Sequence, residues 1–211
     1  MGRPGYILAL LCAIVTLGAL TACSESEEEA PVVDPSVPMS IVVTSAVVSD
    51  GEALPGKHTC YGLDQSPPIS WTGVPEGTKS LALTLVQPDV KVHWVLYALP
   101  PDVSELPEGM TAAEATSLGG KNVSNDFNRL GYGGPCSPRG EENDYVLTVY
   151  AVDTELDLGS KPDMNDLLTA MSGHLLARGQ LKFTYLQRDI GIAPATRRDV
   201  PTAELPVDRG T

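Results

Sequence analysis

The chain has 211 residues and carries 14 Lys+Arg against 27 Asp+Glu, a formal net charge of −13. That balance does not fit a nucleic-acid partner, because binding to phosphates needs a basic surface and no basic cluster interrupts the acidic excess. A polybasic grip on anionic lipid lacks support for the same reason.

Arg3 is the only charge before Cys23, and Tyr6 to Leu20 is a nearly unbroken apolar run ending in small residues. This is the plan of a signal peptide over residues 1–22, too short and wrongly flanked for a membrane span. It ends in Leu20-Thr21-Ala22-Cys23, which resembles the bacterial lipobox. In that motif the cysteine thiol receives a diacylglyceryl group, later joined by an amide-linked acyl chain such as palmitate. The expectation is a lipoprotein anchored at Cys23 in a bacterial cell envelope, held to the membrane by its acyl chains and facing outside the cytoplasm. Residues 23–38, acidic and rich in proline, read as an extended tether.

Between Met39 and Leu186 lies one domain's worth of chain. Ile41 to Val48 is β-branched and runs into the turn Ser49-Asp50-Gly51. Leu81 to Val86 and Val92 to Leu99 are nearly continuous apolar strands, stopped by Pro88 and by Pro100-Pro101, and belong centrally in a sheet covered on both faces. Alternation along the second of these places His93 and Trp94 on opposite faces. Tyr145 to Val152 has high β-propensity. Lys161-Pro162-Asp163 then opens a helix carrying Leu167, Leu168 and Met171 and stopped by Gly173. His174 to Leu186 is a last strand with Gly179 as a bulge or kink, and 187–211 reads as a loosely held tail. Strands, long loops and a helix without βαβ alternation predict a mainly β, sandwich-like fold rather than an α/β one.

His58, His93 and His174 are widely separated and neither H-E-x-x-H nor C-x-x-C occurs, so no metal or other cofactor is expected. There is no G-x-S-x-G elbow either. Cys60 and Cys136 remain after the signal segment, an even number that invites one disulfide in an oxidising compartment. A Cys136–His93 nucleophilic dyad can be written down, but a disulfide would remove its thiolate. No catalytic residue is therefore assigned. The segment Leu130-Gly-Tyr-Gly-Gly-Pro-Cys-Ser-Pro-Arg-Gly140 is over-constrained for a turn. It is either a pocket wall that brings backbone amides to a ligand or a surface loop rich in breakers.

Lys57-His-Thr-Cys60, Pro88-Asp89, His93-Trp94, Asn125-Asp-Phe127, Gly131 to Cys136, Pro138-Arg-Gly140 and Gly173-His174 occur in an order that resembles the phosphatidylethanolamine-binding protein family, in its bacterial, Raf-kinase-inhibitor-like branch. The resemblance implies sandwich-like antiparallel β-sheets with one or more short peripheral helices and a small anion pocket. Its ligand residues fall on Asp89, His93, Gly134, Pro135, Pro138, Asn143 and Tyr145. The chain departs from the family pattern at Gln87 and at Asn143-Asp144, where the family carries aspartate and His-Arg, so cationic potential at the pocket is lost. The expected function is a non-catalytic binding protein for a small anionic or phospholipid-headgroup-like ligand. The alternative is a module inhibiting an extracytoplasmic protease.

Overall fold

The computed structural model describes residues 33–188. The signal segment, Cys23, most of the tether and all but the first two residues of the predicted tail lie outside the described residues. The described residues form eight strands: β1 (Val42–Thr44), β2 (Ile69–Thr72), β3 (Ser80–Gln87), β4 (Lys91–Leu99), β5 (Glu105–Leu106), β6 (Lys121–Asn122), β7 (Glu142–Val152) and β8 (Leu175–Leu186). They form two antiparallel sheets, β1-β2-β5 and β6-β4-β3-β7-β8. Helices α1 (Ala112–Ser117) and α2 (Met164–Met171) and one 3₁₀ turn (Gly56–His58) complete the set.

The large sheet is apolar on both faces, which is why β3 and β4 read as continuous runs. Leu81, Leu83 and Leu85 join Leu147 and Val149 of β7 on one face, where they meet Val43, Ile69, Trp71 and Leu106 of the small sheet. The opposite face, with Ala82, Val95, Tyr97 and Tyr150, is covered by Leu167 and Met171 of α2. The described unit is thus a sandwich with a helix backing its larger sheet. α2 starts where Asp163 accepts the Asp166 N–H while Asp166 accepts the Asp163 N–H, a reciprocal cap.

Several details differ from the sequence reading. The first strand is three residues long, because the chain leaves the sheet after Thr44 and Ser45 turns back on Val47 through its hydroxyl. Gly179 is not a bulge: it pairs in register with Val149, and a Cβ there would lie 2.1 Å from the Ile41 carbonyl oxygen. Glycine is required at that point by the crossing backbone. A second helix, α1, was hidden in a polar stretch; Thr111 and Glu114 form its capping box. The last residues of the predicted tether are ordered: Val33 packs on the α2-covered face and the Pro38 carbonyl accepts the Arg178 N–H at 2.9 Å. At the other end, the Gln187 carbonyl accepts the Gly140 N–H at 3.0 Å, so the predicted tail begins within the fold.

Candidate functional site

Register between β3 and β4 slips between Leu85 and Val86: Leu85 pairs with Trp94 but Val86 pairs with Val92, leaving His93 as an extra residue. A bulge bends the strand and turns consecutive side chains to one face. Trp94 accordingly packs edge-on against Tyr132, and His93 edge-on against Tyr145 at 5.2 Å, both rings belonging to the inter-sheet core, while Val92 and Val95 pack on the α2 side. The expected opposition of His93 and Trp94 is corrected by this bulge.

His93 is 1% exposed and lines a cavity of about 400 Å³ at the open end of the sandwich, between the β3–β4 hairpin and the start of β7. Its Nδ1 lies 2.7 Å from the Gly133 carbonyl oxygen, and its Nε2 has no hydrogen-bond partner among the described residues. A carbonyl can only accept, so Nδ1 carries the proton. Burial pushes the imidazole pKa below its ordinary value, helped by Lys91; the carbonyls of Gly133 and Gly134 and the charge of Asp126 oppose this to a smaller extent. Gln87 and Lys91 contribute from the hairpin, Pro138 and Glu141 from the loop, and Asn143 from β7. The Lys91 ammonium sits 4.7 Å from the centre of the Phe127 ring, a cation–π contact at the rim.

The Gly/Pro loop is a wall, but not of the kind its composition suggested. The Gly133 N–H donates to the His93 carbonyl at 2.9 Å and the Gly134 N–H to Asp64 Oδ1 at 2.7 Å, so neither amide is offered to the cavity. Pro135 is buried, and its carbonyl accepts the Cys60 N–H at 3.1 Å. A Cβ at Gly134 would lie 2.6 Å from the His58 carbonyl oxygen. Glycine is there to let two loops touch, not to let a ligand approach. Cys60 and Cys136 form a disulfide that fastens these loops, with Cα atoms 5.5 Å apart. The Tyr132 hydroxyl donates to the His58 carbonyl at 2.6 Å and the Tyr61 hydroxyl to the Ser137 carbonyl at 3.1 Å, extending the same seam. Asn125 anchors the remainder, donating to the His93 and Gly131 carbonyls and accepting from the Phe127 and Arg129 amides.

Of the residues assigned from sequence, His93, Pro138 and Asn143 meet at the cavity. Asp89 does not: it occupies the exposed hairpin turn at φ +58°, between Pro88 and Val90, and its carboxylate is outside the lining. The three-residue connection is too short to fold an aspartate back over the pocket. Gly134 and Pro135 stand behind the wall. Tyr145 is fully buried beneath it, its hydroxyl 3.1 Å from Ser137 Oγ and its pKa raised chiefly by burial. Sequence reasoning missed Lys91 and Glu141 as lining residues. Register could have indicated Lys91, since it pairs with Gln87 two positions before the histidine.

Residues 44–186 match the family model described as phosphatidylethanolamine-binding protein. The UPF0098 protein of Methanothermobacter thermautotrophicus is 42% identical over 137 residues, covering 63% of this chain and 90% of the relative. That of Pyrococcus abyssi is 36% identical over 152 residues, covering 69% and 85%. Among solved structures, YbcL of Escherichia coli, described as a member of the mammalian PEBP family, superposes with a TM-score of 0.64 at 30% identity, covering 70% of this chain and 98% of that one. CT736 of Chlamydia trachomatis gives 0.62 at 33% identity, covering 71% and 99%.

Proposed function

The chain belongs to the phosphatidylethanolamine-binding protein family, and we propose that it is a non-catalytic binding protein taking a small, headgroup-like ligand in the His93 cavity. The observation that carries this reading is His93 itself. A buried ring nitrogen with no partner among the described residues, on a side chain that lines a cavity, is costly to keep unless something polar meets it. The lining is mainly polar: Gln87, Lys91, His93, Glu141 and Asn143 converge there, with Val90, Cys136 and Pro138 between them, a composition suited to a small polar ligand. Turnover is not part of the proposal, because Cys136, the thiol nearest the histidine in the lining, is held in the disulfide.

The anchor is part of the same proposal. Leu20-Thr21-Ala22-Cys23 after an apolar run favours lipidation at Cys23 and hence a place on the outside face of a membrane. An oxidising compartment is consistent with the Cys60–Cys136 bond.

Calorimetric titration of O-phosphorylethanolamine into the parent chain and into His93→Ala tests the binding reading. Saturable binding to the parent and its loss in the variant is the expected result; no binding to the folded parent sinks it. Metabolic labelling with palmitate tests the anchor, the parent taking label and Cys23→Ser not.

A further inference from the structure

The described chain enters its fold at the end opposite the His93 cavity. Val33, Val37 and Pro38 border a hollow with Leu168 and Ser172, at the end of α2, and Leu175, at the start of β8. The Pro38 carbonyl accepts the Arg178 N–H at 2.9 Å, and the Ile41 N–H donates to the Arg178 carbonyl at 3.2 Å, so this entry is pinned to the first residues of β8. The cavity lies where β8 ends: its lining residue Asn143 pairs with Tyr185, and Gln87 pairs with Lys91 across the hairpin beside it. From Leu175 to Tyr185 a strand rising about 3.3 Å per residue, with one irregularity in its pairing, covers about 30 Å. That length separates the entry from the mouth. Ten peptide steps join Cys23 to Val33, and however they are arranged they reach at most about 35 Å. Turning the mouth onto a bilayer that holds Cys23 would use nearly all of that contour, and a chain drawn taut gives up most of its conformational freedom. Nothing in its charge offsets the loss. Glu25, Glu27, Glu28 and Glu29 lie within those steps, and anionic headgroups repel them.

We infer that the anchored protein holds its cavity mouth away from the membrane that carries Cys23, so that its headgroup-like ligand is a free molecule from the aqueous phase and not a lipid of that bilayer. The inference rests on both parts of the proposed function, the cavity and the anchor. It adds the source of the ligand. A phospholipid headgroup and a free phosphoamine share one chemistry, and only the distance between entry and mouth separates them.

Two measurements on the full-length lipidated chain in vesicles test it. In phosphatidylcholine vesicles with an energy acceptor on their headgroups, a donor dye is attached through a bioorthogonal side chain at Ser172 or at Val90, both exposed positions. Ser172 should lie nearer the acceptor plane, with Val90 farther by on the order of 30 Å. Equal or reversed heights overturn the inference and leave the anchor standing. The unlabelled chain is then titrated with O-phosphorylethanolamine on vesicles of phosphatidylcholine alone and of equal parts phosphatidylcholine and phosphatidylethanolamine. The two affinities should agree within about twofold, because headgroups within reach of the mouth would compete at an effective concentration in the millimolar range. Free glycerophosphoethanolamine, the same headgroup in solution, should displace the ligand on both. A larger weakening by the bilayer's own phosphatidylethanolamine, or failure of the free headgroup to compete, overturns the inference. Absence of O-phosphorylethanolamine binding removes the cavity reading, and a chain that stays off the vesicles removes the anchor; the inference falls with either.

Discussion

A neutral, buried His93 also makes the fold sensitive to acid. Its folded pKa lies below the ordinary 6.5 because burial disfavours the imidazolium, so on acidification the unfolded chain takes up this proton first. The stability contribution is fully present above about 6.5 and is lost as pH falls toward the folded value. Melting temperature should therefore drop between pH 7.5 and 5.5, and drop less in His93→Gln, as scanning calorimetry of both proteins would show. An equal slope in the two assigns the loss elsewhere. Carboxylates with lowered pKa act in a different window: Glu108, hydrogen-bonded by Lys57, and Glu114, by the Thr111 amide, titrate below 4.5. At Gly134 the constraint is steric. A methyl there would press on the His58 carbonyl at 2.6 Å, and Gly134→Ala should destabilise by about 1–3 kcal/mol, the usual cost of overpacking, measured by urea unfolding.

Elements were legible in proportion to how much of their stabilisation is local or apolar. β3, β4 and the second half of β7 announce themselves because burial on two faces demands continuous apolar sequence, and β8, at the sheet edge, by alternation, with Ala177, Leu181 and Phe183 buried between the more exposed Arg178, Gln180 and Lys182. β5 and β6 are two residues each, and their pairing is set by partners rather than by their own side chains. α1 carried a readable signal, Thr111 with Glu114 three positions on, but lacked an apolar stripe: only Ala115 of it is buried. Thr111→Ala removes one half of that reciprocal cap and should cost about 1 kcal/mol in the same unfolding measurement. The site was legible where the motif and the cavity share a residue, at His93, Pro138 and Asn143. It was not legible at Asp89, whose place depends on hairpin length, or at Tyr145, whose inward direction follows from β7 register. Nor could sequence show that the bulge turns His93 onto the face of Trp94, since a register slip is a property of two strands and not of one.

At the scale of the whole molecule, one covalent bond ties the site to the sandwich. Cys60 and Cys136 are 76 residues apart, and the segment between them contains β2 and β5 of the small sheet and β3, β4 and β6 of the large one. Closing a loop of that length is worth about 4 kcal/mol in the chain-entropy account, for which the loop's contents are irrelevant and only its length counts. What the bond holds is nonetheless specific. Cys136 lines the cavity, and the seam beside it, from Gly134 N–H on Asp64 to Tyr61 on the Ser137 carbonyl, consists of single, part-buried hydrogen bonds outside any sheet ladder. The sheets keep their own ladders without the bond, so its loss should loosen the wall before it unfolds the domain. The Cys60→Ser/Cys136→Ser double variant should melt about 10 °C lower, by the scaling for a domain of this size. It should also lose hydrogen-exchange protection at Gly133 and Gly134 while β3 and β7 amides remain protected at a temperature well below melting. Uniform loss across loop and sheet would mean that the disulfide stabilises the molecule only as a constraint on the unfolded chain, and that the cavity wall stands without it.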